Sequence, residues 1–110
     1  MECIDLSMRR ESKGDAEMHF AVIYAPGPAW TESETEHSQV LERHVEYQRR
    51  RLAEGSLFLG GPFAGGPGGM AVFEAASKEE VEAILAEDPA IASGFYVVTI
   101  HPWRIASRRE

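Results

Sequence analysis

The sequence predicts an α+β domain of ferredoxin-like type, with element order β-α-β-β-α-β and a four-stranded antiparallel sheet. Three observations carry that prediction. Four short runs are rich in β-branched and aromatic residues, at 18–25, 56–60, 69–76 and 94–103. Two stretches between them have helical periodicity, and each carries its own start or stop signal. Right-handed crossovers then place both helices on one face of the sheet.

The first strand, MHFAVIYA at 18–25, is closed by Pro26-Gly27-Pro28. A helix follows from Ser33, with Val40, Leu41, His44, Val45, Gln48 and Leu52 on one face and Gly55 as its C′ residue. The segment SLFLG, 56–60, is the second strand, and GMAVFEAA, 69–76, the third. Between them the glycine-rich GGPFAGGPGG leads from strand to strand, whereas a phosphate loop leads from a strand into a helix N-terminus. Neither G-x-G-x-x-G nor G-x-x-x-x-G-K-[ST] is present, so the stretch reads as a hairpin, with AGGPGG as its slack. Gly60-Gly61-Pro62-Phe63 at the strand's end forms a wall that another group can approach closely.

Ser77-Lys78-Glu79-Glu80 is a capping box, so a second helix starts there, with Val81, Ile84 and Leu85 as its apolar stripe. Pro89 stops it near Asp88. The last strand is GFYVVTIHPW, 94–103. The domain is expected over 18–106, with tails at 1–17 and 107–110. In the first strand Phe20, Val22 and Tyr24 point one way and Ala21, Ile23 and Ala25 the other, so both sheet faces are apolar. The face without helices then calls for a cover, and a second copy of the chain is the expected one.

A chain of 110 residues supports one core. Its net charge of −7 repels phosphate backbones and anionic lipid, which argues against nucleic acid and membrane surfaces as partners. Cys3 is the single cysteine, so no internal disulfide forms, and no apolar run suggests a signal peptide or membrane span. A cytoplasmic protein is expected.

His44 lies in the inward stripe of the first helix, where a histidine serves either as a buried hydrogen-bonding group or as a general acid or base. Asp88, before Pro89, reads most plainly as a turn residue. A carboxylate at a helix C-terminus opposes the macrodipole, however, which suggests that another group holds it, with His44 the obvious partner. His19 and His101 fall at ends of neighbouring strands and could lie opposite each other, but no third metal ligand accompanies them, and no metal is expected. His37 is expected to be solvated. Trp30 and Trp103 read as aromatic covers of the core or of a dimer seam.

Arg43-His44, LAEGSLFLGGPF at 52–63, Asp88-Pro89 and the closing HPW at 101–103, in this order, resemble the YciI-like (YCII-related) family over about 19–105. The resemblance implies a dimeric α+β barrel, two ferredoxin-like sheets packed face to face. It also implies a small enzyme with a His–Asp pair, whose better-understood relatives remove HCl from chlorinated aromatic breakdown products or isomerise lactones. By position the pair is His44 and Asp88, with Gly61, Pro62 and Phe63 at the substrate. Ala90 stands where the family often has a larger apolar residue.

The expected function is therefore a cofactor-free lyase or isomerase acting on a small cyclic or carbonyl compound. The alternative is a non-catalytic ligand-binding or assembly module using the same pocket. A haem- or oxygen-using monooxygenase is a weaker third reading, since nothing in the sequence supplies an axial ligand site.

Overall fold

The computed structural model describes residues 18–109. The expectation of an N-terminal tail, Cys3 included, lies outside them. The elements are β1 (Met18–Pro26), α1 (Glu34–Glu54), β2 (Leu57–Pro62), β3 (Gly69–Ala75), α2 (Lys78–Ala86), α3 (Pro89–Ala92) and β4 (Tyr96–Trp103). The strands form one sheet in the order β2-β3-β1-β4, with antiparallel neighbours throughout. This is the ferredoxin-like sheet. Its edges are β2 and β4, and Pro62 and Pro102 lie on those edges, where a missing N–H costs no central ladder bond, while Pro26 closes the end of the central β1.

Local chemistry sets the boundaries. Gly55 ends α1 with φ 100°, and its N–H returns to the carbonyls of Arg51 and Leu52. The capping box forms with one shift, its glutamate reaching the residue before the N-cap. Ser77 Oγ accepts from the Glu80 N–H at 3.2 Å, and Glu80 Oε1 accepts from the Ala76 N–H at 2.8 Å. The one-turn helix α3 has no counterpart among the sequence expectations. It begins at Asp88 as N-cap, with Pro89 in the first turn, where its missing N–H has no partner to lose.

The hairpin between β2 and β3 is slack only in part. Gly65 and Gly66 have open space where a side chain would sit. Gly68, with φ +88°, would drive a Cβ into the carbonyl oxygen of Tyr24, so here only glycine lets the hairpin close on β1.

The core lies on the helix side of the sheet. It gathers Phe20, Val22 and Tyr24 of β1, Ala71 and Phe73 of β3, and Leu57 of β2 against Val81, Leu85 and Ala90. The buried face of α1 is rotated from the apolar stripe expected of it. His44 and Tyr47 are its buried residues, while Val45 and Leu52 stand exposed. Tyr47 takes the inward place because its hydroxyl donates to the Ile84 carbonyl at 2.6 Å, tying α1 to the end of α2. On the opposite sheet face Leu59, Val97 and Trp103 are exposed. No helix among the described residues is long and apolar enough to cross a membrane.

Candidate functional site

At the centre of α1 the His44 ring points into the domain, and its Nδ1 lies 2.7 Å from Asp88 Oδ2. Both residues are buried, Asp88 almost completely. A carboxylate only accepts, so Nδ1 carries the proton and donates, and Nε2 is left with its lone pair. Among the described residues Nε2 has no hydrogen-bond partner.

Asp88 is fixed independently of the histidine. Its Oδ1 accepts from the Ala90 N–H at 2.9 Å, as the cap of α3, and its backbone carbonyl accepts from Ile91 and Ala92. The carboxylate is thus at a helix N-terminus, where the macrodipole favours it. The sequence argument saw one half of this: Asp88 directly follows the C-cap of α2, Glu87, and its N–H bonds to the Leu85 carbonyl, while its side chain caps the next helix. The side chain of Ala90 is fully buried in the core.

Three tyrosines frame the pair. Tyr24 and Tyr96 stand edge-on to the His44 ring, with centroids 5.5 and 5.7 Å away, and to each other at 5.7 Å. Burial, and after it the negative charge of Asp88, raises the pKa of Tyr24 and of Tyr96. Burial likewise raises that of Tyr47, against the opposing pull of the Arg51 guanidinium. The phenols therefore stay protonated at neutral pH. The Tyr24 hydroxyl is buried and makes no hydrogen bond of good geometry, although the Gln48 side chain approaches it closely enough to offset part of the burial. Sequence reasoning missed these tyrosines as site residues. The signal was present for Tyr24, which shares the inward parity of Phe20 and Val22.

A groove of about 390 Å³ runs between α1 and the edge strand β2, and neither the His44–Asp88 pair nor the three tyrosines line it. Val45, Gln48, Arg49 and Leu52 line one side, and the stretch from Leu57 to Gly60 lines the other. Gln48 lies one helical turn from His44, on the same helix face. Gly61, Pro62 and Phe63 follow this wall along β2, exposed, with nothing within 4 Å of a Cβ built on Gly61.

The remaining histidines go elsewhere. His19 pairs across strands with Trp103, and His101 with Ala21, so the two are offset by two residues along β1 and β4. His19 Nε2 instead meets Glu74 Oε2 at 3.0 Å. His37 is part-exposed and is also packed: it stands edge-on to Trp30 and Phe95, and its Nδ1 donates to the Thr31 carbonyl at 3.1 Å. Among the described residues no three His, Cys, Asp or Glu side chains gather as a metal site.

The model of the YCII-related domain matches residues 18–104, which takes in the whole sheet, all three helices and the His44–Asp88 pair. The chain belongs to this family. A relative, the uncharacterized protein YjpA of Bacillus subtilis (strain 168), is 42% identical over 62 residues, 56% of this chain and 73% of that protein. Two solved structures share the fold at low identity. One is 5-chloro-2-hydroxyhydroquinone dehydrochlorinase (TftG) from Burkholderia phenoliruptrix AC1100, in complex with 2,5-dihydroxybenzoquinone. It is 22% identical with a TM-score of 0.64, covering 79% of this chain and 94% of that one. The other is muconolactone isomerase, 19% identical with a TM-score of 0.67, covering 84% and 96%. The YCII-related chain thus carries a sheet and helix arrangement that also serves a dehydrochlorinase and a lactone isomerase.

Proposed function

We propose that this YCII-related protein is a cofactor-free lyase or isomerase in which His44 moves a proton on a small cyclic or carbonyl compound. The observation that carries the proposal is the 2.7 Å contact from His44 Nδ1 to a carboxylate already fixed at the cap of α3. Asp88 holds the tautomer and ring orientation and stabilises the imidazolium formed during the reaction, as the third member of a hydrolase triad does. His44 Nε2 removes a proton from carbon next to a carbonyl. The C–H electron pair passes into the carbonyl system as an enolate, and the proton stays on Nε2. An isomerase returns that proton to another carbon of the conjugated enolate. A lyase instead lets the enolate's electron pair expel an anion, such as chloride, from the adjacent carbon. The kinds of reaction named for the two structural neighbours fit this scheme.

The test is turnover of a panel of lactones and halogenated hydroxyaromatics by the wild type and by His44→Ala. A general base contributes about 10²–10⁴-fold, so the variant is expected to lose at least about 10²-fold while its circular dichroism is unchanged. Full activity in His44→Ala sinks the assignment.

Gly61, Pro62 and Phe63 are assigned to the substrate end of the same wall, and the exposed sheet face to a second copy of the chain. Leu59, Val97 and Trp103 on that face give a homodimer its apolar contact. Trp103→Glu is expected to turn a dimer into a monomer in sedimentation experiments; an unchanged dimer counts against that seam.

One observation favours a ligand-binding module instead: His44 is buried, with its ring enclosed by two tyrosines. On that reading His44→Ala lowers the melting temperature, and no compound in the panel turns over.

A further inference from the structure

The groove between α1 and β2 has the volume of a small-ligand site, about 390 Å³. Apolar side chains make most of its walls, and its two polar lining side chains are Gln48 and Arg49. Gln48 is half-buried, and Arg49 is exposed at the groove's edge.

Arg49 opens the run Arg49-Arg50-Arg51. Arg51 pairs with Glu54 at 3.1 Å, and its guanidinium lies 4.9 Å from the centre of the Tyr47 ring. Arg50 reaches the same ring at 5.8 Å. Arg49 alone of the three lines the groove, and among the described residues no carboxylate pairs with it. In a chain of net charge −7, an unpaired guanidinium beside an apolar trough selects for an anion there, and its planar fork suits a carboxylate. Gln48, half-buried, lies against the Tyr24 hydroxyl, which is buried and lacks a hydrogen bond of good geometry. Buried hydroxyls left so are rare in folded proteins; this one does not itself line the groove, and Gln48 is the side chain that reaches both. The Tyr24 ring in turn stands edge-on to His44.

We propose that the groove binds a small organic acid with a flat apolar ring. The ring lies among Val45, Leu52 and Leu57, its carboxylate on Arg49, and an oxygen substituent on Gln48, whose side chain lies against Tyr24. This names the substrate class for the acid–base site, and its link to turnover rests on that reading; binding itself does not require His44 to be catalytic. The anion is held at one end, and the oxygen substituent brings the ring toward the histidine.

Methyl-labelled full-length protein titrated with 3-hydroxybenzoate, benzoate and benzyl alcohol tests the inference by NMR. The expected result is saturable shifts of the Val45, Leu52 and Leu57 methyls with both acids, and binding of benzyl alcohol at least about tenfold weaker, the scale of one charge-assisted hydrogen bond. Arg49→Gln is expected to weaken both acids about tenfold. Gln48→Leu is expected to remove the preference for 3-hydroxybenzoate over benzoate. No saturable shift at millimolar ligand, shifts confined to another surface, or unchanged binding in Arg49→Gln overturns the inference. His44→Ala separates the two proposals. If it loses turnover while the wild type binds neither acid, the groove assignment falls and the acid–base reading stands. If it keeps turnover and still binds the acids through Arg49, the reverse holds.

Discussion

Two histidine–carboxylate pairs stand among the described residues, and they are built differently. His44–Asp88 is buried, engages Nδ1 at 2.7 Å, and uses a carboxylate whose other oxygen caps a helix. His19–Glu74 is part-exposed, engages Nε2 at 3.0 Å, and joins neighbouring strands across the sheet. The carboxylate of the first pair is oriented before the histidine arrives, whereas each side chain of the second has water as an alternative partner. Contact between the residue types is thus no sign of function by itself. What separates the pairs is how much of the surrounding backbone fixes the carboxylate, and which ring nitrogen is left over.

The sharpest way to break this contrast is to remove each carboxylate. Asp88→Ala deletes a buried hydrogen bond and a helix cap together, and is expected to cost about 2–4 kcal/mol of unfolding free energy. Asp88→Asn keeps a cap acceptor for Ala90 and is expected to lose less stability while still disturbing the histidine. Denaturant titrations of the two variants check both statements.

A second effect separates the buried pair's surroundings from the surface pair. Burial and the charge of Asp88 raise the pKa of Tyr24 in the folded state above its unfolded value of about 10. The stability that follows is fully present below the unfolded pKa. Above it the unfolded chain ionises first, so stability falls as pH rises. Melting temperatures from pH 9 to 11.5 are expected to decline, and less steeply in Tyr24→Phe. Near neutral pH the same variant is expected to lie within about 1 kcal/mol of the wild type, because the hydroxyl it removes lacks a good partner.

The smallest effect belongs to the surface pair. Glu74→Gln is expected to change stability by less than about 1 kcal/mol, with the difference shrinking as salt is added. A loss as large as that of Asp88→Ala would erase the distinction.

The architecture was legible because its punctuation is local: Gly55, the Ser77–Glu80 box and Pro89 each act within a few residues of themselves. The site was half legible. His44 was found by its place in the helical stripe, and Asp88 by its position before a proline at the end of α2, although its second role as the N-cap of α3 was not seen. A four-residue helix has too few residues to show a period, so the cap that Asp88 provides stayed hidden. The rotation of α1 was hidden too, because apolar periodicity selects Val45 and Leu52. What turns Tyr47 inward is a hydrogen bond to a carbonyl 37 residues away. Likewise no pattern in the strands sets the two-residue offset between His19 and His101, and the role of Gly68 depends on a carbonyl of β1.

The account's central claim is that Asp88 holds His44 with its proton on Nδ1 and leaves Nε2 bare. Long-range ¹⁵N–¹H correlation spectra of the histidine rings in neutral solution test it directly. The account predicts that His44 appears as the Nδ1–H tautomer in the wild type and loses that preference in Asp88→Asn, while Glu74→Gln leaves the His44 signals unchanged. A wild-type His44 carrying its proton on Nε2 would contradict it.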